Sequence, residues 1–118
     1  MWCRGVRGAT TVDSNTKEDI LAATKGLLQM MIEANGIEEK DIASVIFTTT
    51  PELNAEFPAV AAREMGLSRV ALLCGHEMDV PGGLPMCLRV LILFNTEKGH
   101  EEMVHIYTRG ASALRLDK

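Results

Sequence analysis

Aromatic side chains are scarce in this 118-residue chain: one Trp, one Tyr and three Phe, or 4% of residues. Single-stranded nucleic acid is held by rings on which bases stack, and a duplex is tracked by an excess of Lys and Arg. The chain has neither, with 12 Lys and Arg against 16 Asp and Glu and a net charge of −4. Nucleic-acid binding is not expected, and any anion site has to be local. Cysteine is also sparse: Cys3, Cys74 and Cys87 form no CxxC pair, and an odd count does not build a secreted disulfide framework. The longest clean apolar run, "VLILF" at 90–94, is far short of a membrane span, and the opening "MWCRGVRGATTVD" breaks any signal-like stretch with arginine and glycine. A soluble, cytoplasmic protein is the expectation. Walker loops and Ser-His-Asp spacing are missing, and His76, His100 and His105 do not make an HExxH pattern, so a metal has no support. "GVRG" at 5–8 lacks the spacing of a dinucleotide-binding loop.

What is present is aliphatic. Hydrophobic residues make up 47% of the chain, enough for one compact domain spanning 1–118 with a core of Leu, Ile, Val, Met and Ala. Residues 2–9 predict a strand, with Cys3, Gly5, Arg7 and Ala9 on one face and Trp2, Arg4, Val6 and Gly8 on the other. Apolar positions at Ile20, Leu27, Leu28, Met31 and Ile32, with Thr24 in phase, predict a long helix from about Thr16 to Ala34, stopped by Asn35-Gly36. "SVIFTTT" at 44–50 predicts a second strand, Pro58 to Gly66 a short helix, and "RVALLC" at 69–74 a third strand. After the "VPGGLP" loop, "MCLRVLILFN" at 86–95 reads as a strand apolar on both faces and hence central, and "MVHIYT" at 103–108 as a fifth. The alternation predicts an α+β (mixed α/β) domain with a five-stranded mixed sheet and two helices covering one face. A sheet apolar on both sides needs a second cover, which another copy of the same chain would supply.

Arg89 shares its strand face with Cys87, Leu91 and Leu93, so its head group either snorkels past the strand end or is held in a pocket. Arg7 has the small neighbours Cys3 and Ala9 on its face, which leave room for a ligand; a surface ion pair or edge protection is the alternative. Glu77 follows Cys74 by three residues, before the Gly82-Gly83 turn, where a side chain can be presented at a sheet end. A lone loop glutamate is otherwise solvated, and a cysteine ending a buried strand is otherwise a small core residue.

Four segments, "RGVRGATTV" at 4–12, "FPAVAAREMG" at 57–66, "CGHEMDVPGGLPMCLRV" at 74–90 and "HIYTRGASALR" at 105–115, resemble, in order and nearly end to end, the monofunctional AroH class of chorismate mutases. The resemblance implies an enzyme of the phenylalanine and tyrosine branch that converts chorismate into prephenate without cofactor or metal. It further implies a homotrimeric pseudo-α/β barrel with active sites between subunits. By the same resemblance Arg89 addresses the ether oxygen, Arg7 and Tyr107 grip the enolpyruvyl carboxylate, and Glu77 and Cys74 meet the ring hydroxyl. Phe57, Ala59 and Arg63 come from the adjoining subunit, Leu73 and Leu114 are wall positions, and Arg115 is a tail arginine near the mouth. Leu116 stands where the family often has proline, and Val60 where relatives can carry lysine. The readings kept beside it are a trimer that binds a small carboxylate without chemistry and an imine-deaminase-like hydrolase.

Overall fold

The computed structural model describes residues 1–117, with side chains as far as Leu114. The chain runs β1 (Trp2–Thr11), α1 (Lys17–Asn35), β2 (Ile42–Thr49), α2 (Ala59–Glu64), β3 (Ala71–His76), β4 (Cys87–Thr96) and β5 (Ile106–Tyr107). Turns of 3₁₀-helix occupy Glu39–Asp41, His100–Glu102 and Arg109–Asp117. The strands form one sheet in the order β3-β2-β4-β1-β5, in which β4 lies antiparallel to both neighbours while β3 and β5 pair parallel to β2 and β1. The expected five-stranded mixed sheet with one long and one short helix is therefore present, and β4 is its centre.

α1 starts and stops where its caps dictate. The Thr16 hydroxyl accepts the Asp19 N–H at 3.2 Å, satisfying one of the first-turn donors. At the other end Gly36 takes a left-handed φ of 61° and returns its N–H to the last turn, a conformation that costs glycine least. Between the caps Ile20, Thr24, Leu27, Leu28 and Met31 form a buried stripe. That stripe lies on Val6, Val45, Phe47, Leu88, Val90, Ile92 and Phe94, the inward-facing residues of β1, β2 and β4. The period of two in the strands and of 3.6 in the helix thus meet in one aliphatic core. α2 adds Ala59, Ala61 and Ala62, small residues that let it close against the core cluster and α1.

Contact between α1 and β1 is close at Gly8. A Cβ there would meet Met31 Sδ at a forbidden separation and Leu27 Cδ1 at 3.2 Å. Gly8→Ala is expected to destabilise the fold by about 1–3 kcal/mol, the range for overpacking, because Met31 must leave its place to admit the methyl. A urea unfolding midpoint equal to that of the parent protein would contradict this.

Two sequence expectations are corrected. β5 was expected to occupy 103–108, but only Ile106 and Tyr107 join the ladder. The preceding backbone is claimed elsewhere: the buried Asn35 amide accepts the Val104 N–H at 2.8 Å and donates to the Val104 carbonyl at 2.9 Å. The Arg7 N–H then goes to His105 Nδ1 at 3.0 Å rather than to a ladder carbonyl. The closing segment, expected as a tail, instead folds back over β1 as the Arg109–Asp117 3₁₀-helix. Arg109 enters it with a φ of 54°, its guanidinium donates to Asp13 at 3.1 Å, and the Gly110 N–H donates to the Thr11 hydroxyl at 3.1 Å.

The helices cover one face of the sheet. The other face carries Gly5, Arg7 and Ala9 of β1, Ile46 and Thr48 of β2, and Arg89, Leu91 and Leu93 of β4. Among the described residues its only helical cover is the closing 3₁₀-helix, which packs Ala111 and Leu114 against Ala9, Cys87 and Tyr107.

Candidate active site

Strand register places one row of residues side by side across the uncovered face. Tyr107 lies opposite Ala9, Ala9 opposite Arg89, Arg89 opposite Thr48, and Thr48 opposite Gly75. Residues directly opposite share a face, so Arg89 rises at the middle of the sheet between a methyl and a threonine. One step along, Arg7 faces Leu91 and Leu91 faces Ile46. The small residues Gly5 and Ala9 keep β1 low on this face, and the result is a cavity of about 490 Å³ lined by Arg7, Ile46, Thr48, Arg89, Tyr107 and Leu114 among others. Its size suits a small organic anion. Of the two alternatives open for Arg89, snorkelling or pocket, the geometry selects the pocket.

Arg89 is held from the side. Its Nε lies 3.0 Å from Glu77 Oε2, and the Thr48 hydroxyl reaches the same carboxylate oxygen at 3.4 Å. Glu77 is itself fixed by its backbone N–H, which donates to the Thr49 carbonyl at 2.7 Å and so carries the chain from β3 into the loop. The Arg89 and Glu77 side chains remain 45% and 35% exposed, so both members of the pair are open to a ligand. An arginine has five donors in a planar fork, and these contacts leave several for an anion. Beneath it lies Cys87, 2% exposed, whose thiol is pushed up by burial while the adjacent Arg89 pulls the other way. A thiol in that state is neutral near pH 7 and serves as floor and weak hydrogen-bonding partner to Arg89. Cys87 was not among the residues nominated from sequence, although the period of two already puts it two residues before Arg89 on the same face.

Arg7, Arg89, Tyr107, Leu114 and Glu77 are thus brought together. Cys74 is not: it pairs with Phe47, whose side chain is in the helix-covered core, so within one chain Cys74 leaves the sheet on the face opposite to Arg89. Burial raises the Cys74 pKa, partly offset by the Ala59 N–H and the nearby charge of Arg63. Cys74 therefore belongs with Phe57, Ala59 and Arg63 at the β3 edge, around a second cavity of about 320 Å³ lined by Leu53, Phe57, Cys74 and His76 among others. Phe57 at this cavity is 66% exposed, and Leu73, which register places on the opposite face of β3 beside Ile46, is 64% exposed, unusual for large apolar side chains. Ala59, expected as a wall residue, has its side chain buried in its own chain's core and offers the edge only its N–H. The side chain of Arg115 lies outside the described residues.

Residues 3–118 match the family model for chorismate mutase type I. The chain belongs to the type I chorismate mutase family. It is 50% identical over 115 residues to chorismate mutase AroH of Thermus thermophilus, covering 97% of this chain and 94% of that protein. It is 42% identical over 118 residues to chorismate mutase AroH of Bacillus subtilis strain 168, covering 99% and 93%. Among solved structures, a chorismate mutase from Clostridium thermocellum superposes with a TM-score of 0.91 at 50% identity, covering 96% of this chain and 99% of that one. The chorismate mutase fold assigned from sequence is thus the fold observed. No helix among the described residues is long and apolar enough to cross a membrane.

Proposed function

We propose that this chorismate mutase converts chorismate into prephenate at the uncovered sheet face, with residues 1–118 acting as one domain in a cytoplasmic homotrimer whose sites lie between subunits. The observation that carries this reading is the Arg89–Glu77 pair, fixed in mid-sheet beside Arg7 and Tyr107.

The reaction is an intramolecular Claisen rearrangement: the ether C–O bond breaks as a C–C bond forms, with partial negative charge gathering on the ether oxygen and partial positive charge on the ring. It needs no nucleophile, base or cofactor. A protein accelerates it by holding the dianion folded and by setting fixed charges where charge develops. Arg89 supplies that charge at the ether oxygen, from a strand that cannot move away. Arg7 and Tyr107, 100 positions apart in sequence but on neighbouring strands, grip the enolpyruvyl carboxylate. Glu77 meets the ring hydroxyl and lies near the developing ring cation, and its pairing with Arg89 fixes the direction of the guanidinium. Leu114 closes the wall from above.

The remaining half of the site comes from an adjoining subunit. Phe57, Arg63 and the neutral Cys74 thiol lie together at the β3 edge, with Leu73 on the opposite face of the same strand, and that edge is the complement of a sheet face lacking its cover. Arg63 provides peripheral positive charge, Cys74 a polar contact to the ring hydroxyl, and Arg115 a further cation at the mouth. The family assignment favours this reading over a carboxylate sensor or an imine hydrolase.

The test is loss of chorismate absorbance on adding the purified protein in metal-free buffer with chelator, with prephenate identified as the product. Turnover unaffected by chelator is expected. A folded protein that leaves chorismate intact would overturn the reading.

A further inference from the structure

We propose that Glu52 is a positioning residue for Arg89 and Glu77, acting through the strained turn at Met86; the inference rests on the reading of Arg89 as the catalytic cation. Met86 joins the 77–86 loop to β4 and has a φ of 54°, a left-handed conformation disfavoured for any residue with a Cβ. Arg89 follows three residues later, so the turn sets where its strand begins.

The turn is held in that conformation by a small network centred on one carboxylate oxygen. Glu52 Oε2 accepts the Met86 N–H at 2.6 Å and the Thr50 hydroxyl at 2.8 Å. With its proton committed to Glu52, the Thr50 hydroxyl is oriented to accept the Cys87 N–H at 3.0 Å. The Thr50 N–H donates to the Cys87 carbonyl at 3.0 Å, and the Val12 N–H donates to the Met86 carbonyl at 2.8 Å. These two bonds to Glu52 hold its carboxyl below the usual carboxylate range, so it is ionised wherever the enzyme is folded near neutrality.

The same short segment also governs the other end of the loop. The Thr49 carbonyl takes the Glu77 N–H at 2.7 Å, so residues 49–52 anchor Glu77 at one end and Met86 at the other. The separation of the Glu77 carboxylate from the Arg89 guanidinium is a function of both anchors. Without the Glu52 carboxylate, Met86 loses the acceptor that supports its left-handed turn and Thr50 loses the partner that orients it. The start of β4 then relaxes toward ordinary backbone, and the guanidinium is misaimed while the core stays intact.

The experiment measures kcat and KM for chorismate in Glu52→Ala, Glu52→Gln, Met86→Gly and the Glu52→Ala/Met86→Gly double variant. Rates are taken per folded enzyme well below each melting temperature, and Arg89→Ala is run alongside. Glu52→Ala is expected to lower kcat by about ten- to a hundredfold with a smaller change in KM, the scale for a small misplacement of a catalytic group. Glu52→Gln, whose side-chain oxygen can accept both bonds, should recover most of that loss. Glycine adopts a left-handed turn without support, so the double variant should fall by much less than Glu52→Ala does alone. Wild-type kcat in Glu52→Ala beside an inactive Arg89→Ala would overturn the proposal. A loss that Met86→Gly does not relieve would overturn it as well, and that comparison decides the matter even if the alanine variant folds poorly. Wild-type turnover in Arg89→Ala would instead show that the reading of the site had failed.

Discussion

Arg89→Ala is expected to lower kcat for chorismate by about a thousandfold or more, the scale for removing a preorganised charge donor, while leaving the circular dichroism and melting behaviour close to those of the parent. The reason that activity and stability separate lies in the location of the side chain. Arg89 stands on the uncovered face of β4, where its head group is half exposed, whereas the residues that hold β4 in place, Leu88, Val90 and Ile92, point into the helix-covered core. Truncation removes a charge from the cavity and nothing from the core. It also frees Glu77 from its partner at 3.0 Å, leaving a carboxylate facing a dianionic substrate. The loss should therefore exceed that of a neutral isostere at the same position. Citrulline at position 89 keeps the planar shape and several donors but not the charge. Low kcat with near-normal substrate affinity would assign the effect to electrostatics at the breaking bond, and a near-wild-type rate in either variant would remove Arg89 from its role.

Much of this architecture was legible because its signals are local. Thr16, the 20–24–27–28–31 spacing and Gly36 define α1 to within a residue, since caps and periodicity act over one or two turns. The face shared by Arg89, Leu91 and Leu93 follows from strand alternation alone. What escaped depends on residues far apart in sequence. The shortening of β5 depends on Asn35 binding Val104, a contact across 69 positions that no window of sequence contains. The separation of Cys74 from Glu77 depends on the register of β3 against β2: both residues lie within four positions, yet Cys74 is still in the ladder opposite Phe47, while Glu77 has passed the strand end and turned to Arg89. A one-residue slip would exchange the faces, and the pattern of β3 itself, with Leu72 and Leu73 both apolar, does not choose between them. Family resemblance supplied these residues and assigned Phe57, Ala59 and Arg63 to the adjoining subunit, and whether the site draws on two chains is a question for experiment.

That question has its own test, and its expected effect is the appearance of activity where neither parent has much. Arg89→Ala abolishes the contribution of the uncovered face, and Arg63→Ala weakens that of the β3 edge. These two surfaces are built from different parts of one chain: Arg89 lines the cavity beside Arg7 and Tyr107, whereas Arg63 sits on α2 beside Cys74 on the helix-covered side. If each site takes its face from one subunit and its edge from the next, mixing and reassembling equal amounts of the two variants gives some junctions where an intact face meets an intact edge. For random reassembly into a closed ring about a quarter of the junctions are of that kind, and about a quarter carry both defects. Activity of the mixture should then rise toward a quarter of the parent value, well above the mean of the two variants. Exchange is followed independently by mass spectrometry of differently tagged chains, so that mixed oligomers are known to be present when the rate is read. Mixed oligomers with no more activity than the mean of the variants would place Arg63 and Arg89 in the same subunit's contribution and overturn the two-chain site. The expected outcome would give the exposed Phe57 and Leu73 their reason: they are apolar because a neighbouring sheet face closes over them.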